Sequence, residues 1–92
     1  MYVVYVLYSA RYDRIYVGYT SHLIERIRSH NLYGKDWTKG YRPWIVIHVE
    51  VFDSKSQAMN RERQLKGGKG RHFIREIVLP DYLKSSSGLI SA

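Results

Sequence analysis

Cysteine is absent from this chain of 92 residues. That excludes disulfides, thiolate metal sites and a cysteine nucleophile, and it suits a reducing, cytoplasmic setting. No apolar run approaches the ~20 residues that a membrane-spanning helix needs. The apolar N-terminal stretch YVVYVLYS has no basic region before it and no small-residue cleavage site after it, so it reads as a strand and not as a leader. Acidic side chains are few: 8 Asp and Glu stand against 15 Lys and Arg, a net charge of +7. A chain this short buries only about 60–65% of its unfolded surface, which leaves little room for a deep internal cofactor pocket.

A hydrophobic content of 45% is that of a folded domain. The basic excess points to a polyanionic partner, with solubility alone as the plainer explanation. Nine tyrosines and two tryptophans add rings that can stack on bases, although most of them are expected in the core.

Residues 2–9 are β-branched and aromatic, hence a strand. Residues 10–14 (ARYDR) form a hairpin loop, and 15–19 (IYVGY) the return strand. A helix follows over about 22–32, with Thr20 or Ser21 as N-cap and Leu23, Ile24 and Ile27 as its apolar face. Residues 33–43 form an exposed, basic loop. In a third strand, 44–52, the alternation predicts that Ile45, Ile47, Val49 and Val51 line one better-buried face, with His48 and Glu50 opposite. Ser54 and Gln57 form a capping-box pair that opens a helix over about 55–66. The run GGKG breaks it, a third helix covers about 71–78, and Pro80 ends that helix. The reading is one domain over 1–80 followed by a frayed tail, 81–92, with no internal repeat. The fold class is α+β: a small three-stranded antiparallel sheet flanked by about three helices, in the order β-β-α-β-α-α.

Three features depart from simple packing. Glu62 falls in the apolar stripe of Ala58, Met59 and Leu65, where a carboxylate is costly unless it is paired or bound to metal. A salt bridge to Lys66 is the plain alternative. His22, Arg26 and His30 recur at every fourth position and point one way along a helix. The row suits a phosphate better than a metal, since no His-Glu-x-x-His spacing is present and arginine is not a metal ligand. Tyr5 and Tyr16 lie on the two strands of one hairpin, where cross-strand pairing can bring their hydroxyls together, or simply place both in the core.

Taken together, Val3-Val4-Tyr5, Tyr16-Val17-Gly18, Arg26, His30 and Glu62 resemble the GIY-YIG nuclease domain over about residues 2–79. The stretch YVGYTSHLIERIRSH carries most of the resemblance. It looks like the small stand-alone bacterial members related to the N-terminal nuclease domain of UvrC. Val3 replaces the first glycine of the pattern, and Tyr19 follows Gly18 where some relatives carry a lysine.

The resemblance implies a metal-dependent endonuclease that hydrolyses DNA phosphodiesters, in repair or recombination, with RNA also open as a partner. Tyr5, Tyr16, Arg26, His30 and Glu62 would be its catalytic residues. Glu62 would hold one Mg²⁺ or Mn²⁺, since hard Mg²⁺ accepts a single carboxylate and keeps its waters. Arg26 would brace the phosphate, and Tyr5 would orient or deprotonate the attacking water, supported by Tyr16 and His30. A free tyrosine pKa near ~10 is too high for a base at neutral pH, so cationic neighbours are expected to lower it. Lys35, Lys39, Arg42, Lys66, Lys69 and Arg71 are the candidates for tracking the nucleic-acid backbone. A non-catalytic nucleic-acid-binding module and a protein-interaction domain are the competing readings. The sequence sets no oligomeric state and no choice between single-stranded, duplex, branched and damaged DNA.

Overall fold

The computed structural model describes residues 1–33 and 37–91. Strand β1 (Tyr2–Ser9) is central, between β2 (Arg14–Thr20) and β3 (Ile45–Phe52), and both pairings are antiparallel. Helix α1 (Leu23–Arg28) runs into a wider π turn, Ser29–Tyr33, and a 3₁₀ turn covers Trp37–Tyr41. Helix α2 spans Lys55–Lys66, and α3 (Gly68–Phe73) continues through a π segment, Ile74–Val78, into α4 (Leu79–Ser91).

The period-2 pattern of β1 supplies two cores, one on each face of the sheet. Val4, Val6 and Tyr8 join Val17, Ile47, Ala58, Leu65, Ile74 and Val78 under α2 and α3. Tyr5 and Leu7 point the other way and pack with Trp44, Leu23 and Ile27. A strand buried on both faces explains why YVVYVLYS reads as a continuous apolar run.

Beyond Ile47, which is buried as expected, the two faces of β3 are the reverse of the sequence expectation. The register shifts between Val6 and Leu7, which face His48 and Val46, so Ile47 is the extra residue of a bulge. Beyond it the parity changes. Val49 and Val51 are 45% and 59% exposed, and the His48–Glu50 side turns toward the helices. There Arg61 donates from Nε to Glu50 Oε1 (2.8 Å) and from its terminal amino group to Oε2 (3.1 Å), and His48 Nε2 lies 2.7 Å from the same carboxylate. Burial alone would raise the Glu50 carboxyl, but these partners outweigh it and hold it below its ordinary value. The stability this contributes is complete above about 4.5 and is lost as pH falls through the lower native value. Arg61→Met is expected to cost about 1–3 kcal/mol at neutral pH and to flatten the acid limb of a pH series of urea melts. An unchanged acid limb would exclude this network as its source.

Helix boundaries also differ in part. Ser54 and Gln57 make the expected capping box, and α2 keeps the expected bounds. At α1 the N-cap is His22, without a side-chain cap; Thr20 Oγ1 instead accepts from the His22 amide at 3.0 Å. Ile24 is 72% exposed rather than part of the apolar face. Pro80 does not end the last helix, and the backbone stays helical to Ser91. The π segment just ahead accommodates the missing N–H: Leu79 donates to the Ile74 carbonyl, five residues back, so the turn is already widened where proline would break an α-helical ladder. Tyr82, beyond that proline, packs against the core. Among the described residues no helix is long and apolar enough to cross a membrane.

Candidate active site

Gly18 faces Tyr5 across the β1–β2 ladder. A Cβ at Gly18 would fall 2.5 Å from the Tyr5 hydroxyl, so the absent side chain is the space the phenol occupies. The Tyr16 ring stacks beside it with centroids 6.2 Å apart, because Tyr16 sits two residues along β2 on the same face. Tyr5 is fully buried. Its hydroxyl accepts from Arg26 Nε at 3.4 Å and lies 3.0 Å from His30 Nε2. His30 is 3% exposed, and its Nδ1 lies 3.1 Å from Thr38 Oγ1.

The side chains converge on a cleft of about 450 Å³ at the edge of β2. Tyr5, Tyr16 and Gly18 form its floor, Arg26 enters from α1, and Glu62 enters from α2 on the opposite face of the sheet. Tyr2, Tyr19, Thr20, Ser21 and Lys55 complete the lining. The cleft therefore brings together Tyr5, Tyr16, Arg26 and Glu62, while His30 stands behind it in contact with Tyr5. The row of three splits: Arg26 turns into the cleft, the π turn carries His30 into the core, and His22 stays exposed at the rim of a neighbouring hollow. Lys55 was not singled out from the sequence. Its signal was its spacing, seven residues before Glu62, which puts both on one face two turns apart.

The expectation that cations lower the Tyr5 pKa is not met. Burial raises it to about 12 and outweighs the opposing hydrogen bond and charge of Arg26. Tyr5 is thus a neutral phenol at physiological pH. Glu62 pairs with Lys66 at 3.5 Å, yet its side chain keeps 18% exposure and faces the cleft. The salt-bridge alternative is therefore met, and the carboxylate still borders the open cleft. Among the described residues no three His, Cys, Asp or Glu converge. One carboxylate beside open, hydroxyl-lined space is a donor set that fits a hard divalent ion retaining most of its waters.

The outlying basic residues fall in several places. Lys39 is exposed on the 3₁₀ turn. Arg42 is half-buried, and its Nε donates to the His30 carbonyl at 3.2 Å, so it braces the site from behind. Lys66 does not line the cleft but pairs with Glu62, which does. Lys69 lines a separate hollow with Arg61 and Arg63 at the α2–α3 elbow, and Arg71 is exposed nearby. Lys35 lies outside the described residues.

A three-stranded antiparallel sheet with a paired-tyrosine cleft, an arginine from the first helix and a glutamate from the second defines the class. The GIY-YIG catalytic domain matches residues 1–74, and the chain belongs to that family. Among its relatives is a UPF0213 protein of Staphylococcus haemolyticus, 42% identical over 55 residues, which cover 59% of this chain and 67% of that protein. A UPF0213 protein of Natronomonas pharaonis is 42% identical over 64 residues, covering 68% and 74%. The solution NMR structure of a UPF0213 protein from Bacillus halodurans superimposes with a TM-score of 0.50 at 27% identity, over 84% of this chain and 85% of that one.

Proposed function

We propose that this protein is a metal-dependent endonuclease that hydrolyses phosphodiesters in DNA. The observation that carries the proposal is the Tyr5 hydroxyl, held by Arg26 at 3.4 Å and by His30 at 3.0 Å, in the same cleft as Glu62. Arg26, exposed and aimed at the cleft, takes a non-bridging oxygen of the scissile phosphate and stabilises the charge that grows there. Lys55 sits where a second phosphate oxygen or the leaving oxygen can reach it. It is the cation this cleft offers in place of the lysine that some relatives carry next to the glycine, where this chain has Tyr19.

A phenol with a pKa of about 12 does not wait as a phenolate. It receives a proton only by passing its own on. In the tautomer with Nδ1–H donating to Thr38, His30 Nε2 is an acceptor for the Tyr5 O–H. The attacking water then gives its proton to the Tyr5 oxygen while the phenol proton moves to Nε2, and no free phenolate forms. Glu62 would hold the divalent ion, which when bound supplies Lewis-acid stabilisation of the phosphoryl and leaving oxygens. Lys66, already 3.5 Å from that carboxylate, is displaced or turns toward the strand.

Incubation of labelled single-stranded, duplex and branched DNA with Mg²⁺ or Mn²⁺ tests the reading. Wild type is expected to cut at least one substrate, to stop when the metal is chelated, and to lose at least about 10²-fold in rate as Glu62→Gln. Tight binding by both proteins with no cutting on any substrate would leave a nucleic-acid-binding module. The Glu62–Lys66 ion pair favours that alternative, since it satisfies the carboxylate without any metal.

A further inference from the structure

A second cluster of aromatic and basic residues lies outside the cleft, at the far end of the β1–β2 hairpin. Tyr12 is 43% exposed, and its ring meets Tyr41 edge-on at 5.5 Å. The Arg11 guanidinium lies 5.6 Å from the Tyr12 ring centroid, and that of Arg14 lies 5.5 Å from Tyr41. Exposed rings are usually mobile, but the backbone under these is fixed. Asp13, next to Tyr12, has a φ of +53° and is clamped by Arg75, whose guanidinium donates to Oδ1 (2.6 Å) and to the Asp13 carbonyl (3.1 Å). Tyr8 donates to the same carboxylate at 3.0 Å. Beneath Tyr41, Trp44 is tied to Asn31 by two hydrogen bonds of 2.7 and 3.0 Å.

The rings also form a continuous row to the cleft. Centroids step 5.5 Å from Tyr12 to Tyr41, 6.5 Å to Trp44, 6.3 Å to Tyr16 and 6.2 Å to Tyr5. Along β2, the four residues from Gly18 to Arg14 span about 13 Å at ~3.3 Å per residue.

From this arrangement we infer that the hairpin tip is a stacking platform for an unpaired nucleotide flanking the cleavage site. The base lies on Tyr12, or on the guanidinium plane above it, and Arg11 and Arg14 hold the adjoining phosphates. Rings and guanidinium planes both take unstacked bases, and each base has a face to offer whatever its identity. A base inside a duplex has both faces covered by its neighbours. The platform therefore selects substrates with a single-stranded flank over continuous duplex, and it does so without reading sequence. This inference rests on the nuclease reading for its substrate, but on none of the residues of the cleft except through the ring row.

The test is fluorescence anisotropy in the absence of metal, on the Glu62→Gln background so that strands stay intact. The probes are a labelled blunt DNA duplex and the same duplex with a single-stranded flank. Tyr12→Ala is expected to lose about 5- to 100-fold in affinity for the flanked duplex and less than about twofold for the blunt one. Tyr12→Phe keeps the wild-type preference. Abasic positions scanned through the flank reproduce the loss at one site for the Tyr12 protein and add nothing for Tyr12→Ala. An equal loss on both duplexes, or no loss on either, overturns the stacking platform and leaves the cluster as a staple between the hairpin and the 3₁₀ turn. If the Glu62→Gln protein binds neither probe and wild type cuts nothing, the nuclease reading fails with it. Cutting by wild type with an indifferent Tyr12→Ala removes the platform alone.

Discussion

Tyr5→Phe is expected to lower single-turnover DNA cleavage by about 10²–10⁴-fold while changing DNA affinity by less than about threefold. The ring of Tyr5 is fully buried in the second core and phenylalanine fills the same volume, so only the hydroxyl is lost. That oxygen joins Arg26 on the substrate side to His30 on the buried side. On the nuclease reading, without that oxygen the water has no route to Nε2, and Arg26 loses one of the contacts that aim it. His30→Ala should approach the Tyr5→Phe rate, and the double variant should be little slower than either single one, because the two act as one unit. His30→Gln, which keeps an acceptor near the phenol, tests whether the histidine positions Tyr5 or receives its proton. Rescue by glutamine would assign positioning only. Since Tyr5 keeps its proton until pH reaches about 12, the rate of wild type should show no alkaline rise near ~10, where a free tyrosine ionises. A rise there that vanishes in Tyr5→Phe would mean that the phenolate itself is the base and that the relay is wrong.

The second large effect is structural. Gly70→Ala is expected to destabilise the fold by about 3 kcal/mol, lowering the melting temperature by about 10–20 °C. Gly70 is buried where α3 turns back over α2. A Cβ there would collide with the Gln64 carbonyl and with the Leu65 backbone, none of which is a flexible side-chain end. The two helices would have to separate, which would open the packing around Leu65 and Ile74. Gly68→Ala, two residues earlier, meets nothing within 4 Å and is the control. Equal melting of the two variants would mean that the elbow relaxes freely and that the glycines serve another purpose.

The sequence made some of this legible because the signals were local. The strand β1, the capping box of Ser54 and Gln57, and the pairing of Tyr5 with Tyr16 through a short hairpin all depend on neighbours a few residues away. Glu62 stands out as a carboxylate in an apolar stripe, Arg26 by its place in the row of His22 and His30, and Tyr5 and Tyr16 by their cross-strand pairing, and the fold does bring these four to one cleft. What failed needed information from other parts of the chain. One extra residue at Ile47 reverses the faces of β3 beyond it, and strict alternation carries no trace of a bulge. The helix through Pro80 depends on a wide turn that helical periodicity does not reveal. The direction of the Tyr5 shift depends on how completely the core closes over the ring, which outweighs the nearby guanidinium. Lys55 reaches the cleft only because α2 packs against β2, and the platform at Tyr12 exists only because Tyr41 and Trp44 fold back beneath it.

The cleft straddles a strand edge instead of resting on one layer. Arg26 arrives with the helix on one face and Glu62 with the helix on the other. During synthesis the first 52 residues carry Tyr5, Tyr16, Arg26 and His30 and all three strands, but the carboxylate comes later, on Lys55–Lys66. A chain that stops before α2, or has yet to dock it, holds the phenol and the guanidinium without the carboxylate beside them. On the nuclease reading, the ability to cut appears only when the fold closes on both sides, so an unfinished copy of this protein is harmless to the nucleic acid around it.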